Sequence, residues 1–538
     1  MATTLTELSA TELAQRIAGG EVSAVEVVEA HLARIAAVNP TLNAVVLTRA
    51  DAAREEARGV DAKRSRGEPL SPLAGVPITV KESLDLADTP STFGIETRVN
   101  HRATIDDIHV ARLRAAGAIV LGKTNVAQCL IYTEADNPVY GRTSNPWNSE
   151  RTCGGSSGGE GAIIAAGGSP LGVGTDIGGS VRLPAHFCGL VGLKPTSGRM
   201  DDMGRYSVPL GQRAIPSQVG MLARHVADVA LAIEIANGGR QPAQLHQPRL
   251  GDWTAVDVSR LRVAYYSDDG TFAPAPALRR AVEQAADVLR QAGAQVSAWT
   301  PPEVPAALIL FGRILLGDNL AGMKRALAGS ARTPQVAQLL LSAGIPLALH
   351  KPLRGLLRAF GQETMANNLE AAGSASADAY WRNVEAQLDY RERFAAALDQ
   401  AAGGPFDIIL APPSSLPAFT HGATRDLLTA GAYASLYNLL GYPAGVVPFT
   451  RVGAAEESVR DPGRDLVQRL ARRVEQGSAG LPVGVQVIAK PWQEHVALAA
   501  MGVLERAARQ RPDFPSTPVG TDQGSVRAVG PLQPERAG

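Results

Sequence analysis

The chain has 538 residues, of which 45% are apolar, 19% charged and 5% aromatic, and its 52 Lys+Arg balance 52 Asp+Glu. This composition supplies a large core and excludes a disordered chain. Zero net charge argues against nucleic acid as the partner, because phosphate binding needs a basic surplus on one face.

Two helices open the chain. Ser9 with Glu12 and Ser23 with Glu26 fit the capping box, in which each side chain satisfies a free N–H at a helix start. Gly19-Gly20 is expected to end the first helix and Asn39-Pro40 the second. Apolar runs at 74–83 and 117–125 predict buried strands. The runs at 261–267 and 294–299, with a helix after Pro276 between them, predict a β-α-β unit. Further strands are predicted at 406–413, 444–450 and 481–489. Such alternation indicates one large α/β domain with a central sheet, over residues 1–512, followed by a flexible Gly/Pro/Ser-rich tail, 513–538. The charged run 451–479 reads as a surface insertion with one helix. No stretch approaches the roughly 20 apolar residues of a membrane span. The first twenty residues lack the basic and apolar regions of a secretory signal. Cys129, Cys153 and Cys188 show neither C-x-x-C spacing nor a metal-ligand pattern, so packing in a reducing, cytoplasmic compartment is expected.

The chemistry concentrates in two glycine–serine knots, "CGGSSGGEGA" (153–162) and "GTDIGGSV" (174–181). In the second, Gly178 and Gly179 precede Ser180, so the N–H groups of Ile177, Gly178, Gly179 and Ser180 are candidates for one anion-binding nest. A plain tight turn reads equally well from this motif alone. "GGSSG" (154–158) matches the G-x-S-x-G nucleophile elbow, but "NPWNSERTC" before it is polar and not strand-like. The late histidines His350, His421 and His495 sit in no distinctive loop, which disfavours a histidine base. Lys81 follows the apolar strand "GVPITV", which would carry its amine inward, where burial favours the neutral, basic form. A solvated lysine at a strand end is the competing reading.

"GVPITVKES" (75–83), "GGSSGGEGA", "GTDIGGSVRLPA" and "GLKPTSGR" together resemble the amidase signature family. "TNVAQCLIYTEADNPVYGRTSNPW", "LYNLLGYPAGVVP" and "LPVGVQVIAKPWQE" are most similar to its fatty acid amide hydrolase branch. The resemblance spans nearly all of the chain. It implies a mixed central β-sheet covered by helices on both faces, and hydrolysis of carboxylic amides through an acyl-enzyme. It implies a Ser–Ser–Lys triad of Ser180 as nucleophile, Ser156 as relay and Lys81 as base, with a cis Gly155–Ser156 peptide. Ser157, Asp176 and Arg182 become supporting hydrogen-bond partners. Leu130 and Ile131 become the start of an acyl channel. No cofactor or metal is implied; the partner is a small amide, and a homodimer is expected. Where the family commonly has Gly-Pro-Met/Leu-Ala-Arg, this chain reads Gly220-Met221-Leu222-Ala223-Arg224, which puts a local turn in question. The same family includes the glutaminase subunit of tRNA-dependent amidotransferases, which is the alternative function. Residues 335–358 crowd leucines beside Lys351, Arg354 and Arg358, as in a cap that packs on the core or touches an anionic membrane surface weakly.

Overall fold

Eleven strands form one central sheet in the computed structural model, which describes residues 4–200, 211–238, 248–371 and 376–516. In chain order they are β1 Val45–Thr48, β2 Pro77–Lys81, β3 Ile119–Thr124, β4 Leu171–Asp176, β5 Val191–Lys194 and β6 Gln218–Ala223. There follow β7 Arg262–Tyr265, β8 Gln295–Ala298, β9 Ile408–Ala411, β10 Ala444–Arg451 and β11 Pro482–Ala489. They lie side by side as β1-β3-β2-β4-β6-β5-β10-β11-β9-β7-β8. The pairs β3-β2, β2-β4, β9-β7 and β7-β8 are parallel, and the other neighbours are antiparallel. Central strands such as β2, β9 and β11 are buried along their whole length, which is why they read as unbroken apolar runs and not as alternation.

Helices cover both faces. Gly172 and Gly174 of β4 turn toward the Gly158–Ala165 helix, where a Cβ would meet Glu160 or Ser157. Gly192 of β5 turns toward Val181 and Ala185, at the Arg182–Cys188 helix. Gly445 of β10 stands opposite Leu193, hence on the other face, and there meets Met501 of the Glu494–Arg509 helix.

The seven strands anticipated from apolar runs all form, whereas β1, β4, β5 and β6 were not anticipated. Glycine weakens a strand signal because it has no side chain to pack; in β4 it is there because a helix lies against the strand. Met221, at the position where a turn was in question, sits in the middle of β6 between Val173 and Leu193. Both capping boxes form, and Gly20 closes the first helix at φ 76°. The second helix does not stop at Asn39-Pro40. It runs to Leu42 and closes on Asn43 at φ 50°, because a proline in the last turn removes only one helical bond. The polar run before Ser156 does contain a strand, Asn148–Thr152, paired with Ser144–Asn145 outside the central sheet. Its polar groups are satisfied: Asn145 donates to Thr152 O, and buried Arg151 donates to Ala418 O and Val474 O, both distant in the chain. From residue 517 onward the expected tail lies outside the described residues.

Close approach sets the position of the first glycine–serine knot. A Cβ on Gly159 would collide with Asn125 N and stand 2.8 Å from Ala44 O, both backbone atoms. Gly159→Ala is therefore expected to lower stability by about 1–3 kcal/mol and to reduce activity by displacing the start of the helix that follows Ser156. Thermal melting checks this; a parental melting temperature contradicts it.

Candidate active site

Strands β2 and β4 run parallel, so Lys81 and Thr175 lie together at the C-terminal ends of neighbouring strands. The Lys81 side chain is fully buried. Its Nζ donates to Ser156 Oγ at 2.7 Å, to Thr175 Oγ1 at 2.8 Å and to Thr175 O at 3.3 Å. Ser156 follows a cis Gly155–Ser156 peptide. Ser157 joins the two knots: its N–H donates to Ser180 O at 3.2 Å and its Oγ to Thr175 O at 3.3 Å. Lys81, Ser156, Ser157 and Ser180, far apart in the chain, thus occupy one cluster. Neither His350 nor His421 belongs to it. His421 pairs with Glu134 at 2.7 Å, and His350 faces Ile345 O at 3.1 Å.

The loop that presents Ser180 is wrapped around Asp176. Its carboxylate accepts from Gly179 N at 2.8 Å, from Val181 N at 3.1 Å, and from Arg182 Nε and Nη2 at 3.0 and 2.9 Å. Both side chains of this ion pair have no solvent exposure. Burial alone would raise the Asp176 pKa, but the Arg182 charge and hydrogen bonds outweigh it and hold the carboxyl well below its usual range. Gly179 has φ 116°, a conformation that a side chain at this position would strain. The expected nest of four N–H groups is reduced to three, because the Gly179 N–H is spent on Asp176. Among the described residues, the N–H groups of Ile177, Gly178 and Ser180 donate to no protein acceptor.

Ser180 lies in the wall of a cavity of about 730 Å³. Leu130 and Ile131 line it, as do Ile177 and Gly178; Leu130 is held at φ 59°. The segment 335–358 forms two helices, Pro334–Ser342 and Leu347–Ala359, bent by 108°. Among the described residues no single helix is long and apolar enough to cross a membrane. Leu339, Leu353 and Leu357 turn into the cavity, while Leu341, Leu349 and Leu356 are exposed. The basic side chains expected to face an anionic surface are partly spent on the Glu363–Glu370 helix that follows: Arg354 pairs with Glu370 at 2.7 Å, and Arg358 with Glu363 and Glu370 at 3.4 Å. The charged insertion 451–479 is more than surface. Its helix, Leu466–Glu475, places Leu466, Val467 and Leu470 in the cavity wall. The charged residues of the wall are Arg425 and Asp426, and they bond to each other at 2.9 Å.

Sequence reasoning missed Thr175, although it adjoins Asp176, because its role depends on β4 lying beside β2. It also missed Asn438 and Gln486. These accept from Arg182 at 2.5 and 2.7 Å across 256 and 304 residues of chain, with no local signal.

A fully buried lysine, two serine knots and an unpartnered set of N–H groups on this mixed sheet define an amide hydrolase of the amidase signature type. The chain belongs to the Amidase family, whose profile matches residues 26–498, and it is an enzyme that hydrolyses amide bonds. It is 33% identical over 519 residues to fatty acid amide hydrolase 1 of Caenorhabditis elegans, covering 92% of this chain and 87% of that one. It is 31% identical over 539 residues to a glutamyl-tRNA(Gln) amidotransferase subunit of Roseiflexus sp. (strain RS-1), covering 96% of this chain and 100% of the other. A solved fatty acid amide hydrolase superposes with a TM-score of 0.76 at 25% identity, over 93% of this chain and 85% of that one.

Asp176→Asn leaves Arg182 buried without its counter-charge, so a loss of about 3–5 kcal/mol is expected in chemical denaturation. In the parent the Asp176 pKa is depressed on folding. Its contribution is therefore fully present above the unfolded value of about 3.9 and is lost as pH falls below it. Asp176→Asn should flatten the acid limb of stability against pH; an unchanged acid limb contradicts the assignment.

Proposed function

We propose that the enzyme hydrolyses amides with an apolar acyl or aryl group, through Ser180, Ser156 and Lys81. Neutral Lys81 accepts a proton from Ser156, which accepts one from Ser180 as its Oγ attacks the carbonyl carbon. The oxyanion is held by the N–H groups of Ile177, Gly178 and Ser180. Reversal of the relay delivers the proton to the leaving amine, and water cleaves the acyl-enzyme by the same path. The 2.7 Å Lys81–Ser156 bond and the Ser157–Ser180 link support these roles.

The observation that carries the substrate class is the cavity beside Ser180. Its wall is built from side chains such as Leu130, Ile131, Leu353 and Leu470. A glutamine substrate, as the amidotransferase relative's name implies, presents an ammonium and a carboxylate that both need charged partners. The Arg425–Asp426 pair offers one of each, already joined and part-exposed, so glutamine is the second reading to test.

Ser180→Ala, Ser156→Ala and Lys81→Ala are each expected to lower kcat by several orders of magnitude while melting near the parental temperature. Retained turnover in the Ser180 or Lys81 variant contradicts the triad.

A series of acyl anilides tests the pocket. Each added CH₂ contributes up to about 0.8 kcal/mol, so kcat/KM should rise by up to about fourfold per CH₂ from acetyl upward. Glutamine preferred over the longer anilides overturns the apolar reading.

A further inference from the structure

A buried acid beside the proposed base has no place in the relay above. Glu160, on the Gly158–Ala165 helix, has no solvent exposure. Its Oε2 accepts from Thr79 Oγ1 at 2.6 Å and its Oε1 from Thr124 Oγ1 at 2.7 Å. Thr79 and Lys81 are two residues apart on β2, so their side chains point to one face, about 7 Å apart. Thr124 is the partner of Lys81 across β2 and β3. The Glu160 carboxyl thus lies one step along the sheet from Lys81. β4 makes room for it, since a Cβ on Gly172 would overlap Oε2.

The other charged groups nearby are engaged elsewhere. Glu82 accepts from the Phe93 N–H at 3.0 Å, Lys123 donates to Pro90 O at 2.6 Å, and Asp176 is paired with Arg182. Burial pushes the Glu160 carboxyl up to about 8, while the two threonine hydroxyls and the Lys81 charge pull the other way.

We propose that Glu160 is a positioning residue that shares one proton with Lys81, so that the lysine stands as the neutral amine when the proton resides on the Glu160 carboxyl. This rests on Lys81 serving as the base. The ammonium–carboxylate pair and the amine–carboxylic acid pair contain the same atoms, protons and net charge. The second buries no ion, and the dry surroundings favour it. An ionised Glu160 does the opposite and holds Lys81 in its charged form.

Glu160→Gln keeps the shape and removes the ionisable group. The rise of kcat/KM with pH, spread in the parent over the two ionisations of the coupled pair, should then narrow to a single ionisation. Thr124→Val withdraws one donor from the carboxylate, favours its protonated form and should weaken the upper of the parent's two ionisations, which serves if the glutamine variant melts early. Infrared difference spectra should show a protonated-carboxyl C=O band in the parent near neutral pH that Glu160→Gln lacks. An unchanged pH profile in the folded variants, or no such band in the parent, overturns the shared proton. Turnover retained by Lys81→Ala overturns the base assignment instead, and the infrared band reports on Glu160 independently of it.

Discussion

The Arg182 guanidinium, enclosed on all sides, holds together the parts on which the site depends. It has five N–H donors, and all five find acceptors: Asp176 takes two, and Ala434 O, Gln486 and Asn438 take one each. A buried ion pair costs much desolvation and repays it only when every remaining lone pair and proton is matched. That requirement fixes four segments relative to one another: the end of β4, the Ser180 loop, the Ala432–Leu440 helix and β11. The loop cannot relax without stranding a charge. Asp176 also takes the Gly179 N–H, while Ile177, Gly178 and Ser180 line the cavity.

Glycines serve a second constraint, the distance between helix and sheet. The Gly158–Ala165 helix touches backbone at Asn125 and Ala44 through Gly159, and Gly172 and Gly174 accept it from the sheet side. This close seat lets a serine at the helix start reach a lysine at a strand end. It also encloses Glu160 and Lys81 in one dry layer, where each alters the protonation of the other. Two glycine–serine knots are needed because the contact is made between two backbones, β4 and the helix laid on it.

The cavity obeys a different logic. Its inner end belongs to the rigid core at Ser180, while its walls come from segments attached later: the bent helix pair at 334–359 and the helix at 466–475. Arg354 and Arg358 of the cap pair with Glu363 and Glu370 of the helix that follows it, so part of its basic charge is neutralised by the neighbouring element.

The sequence by itself determined the α/β class, the long apolar strands and both helix caps, each from local chemistry: unbroken apolar runs and a serine three residues before a glutamate. Lys81, Ser156 and Ser180 are singled out by the resemblance of their motifs to the amidase signature family, since local chemistry leaves a plain turn and a solvated lysine open. The tertiary structure alone decided that β4, β5 and β6 are strands, since their glycines are read as breaks until a helix is laid against them. It alone showed that the Gly179 N–H faces Asp176, that Thr175 meets Lys81, and that Asn438 and Gln486 complete the Arg182 shell. It also turned a charged insertion into cavity wall. These depend on which segments become neighbours across hundreds of residues, and burial makes their polar groups seek partners that no local pattern names.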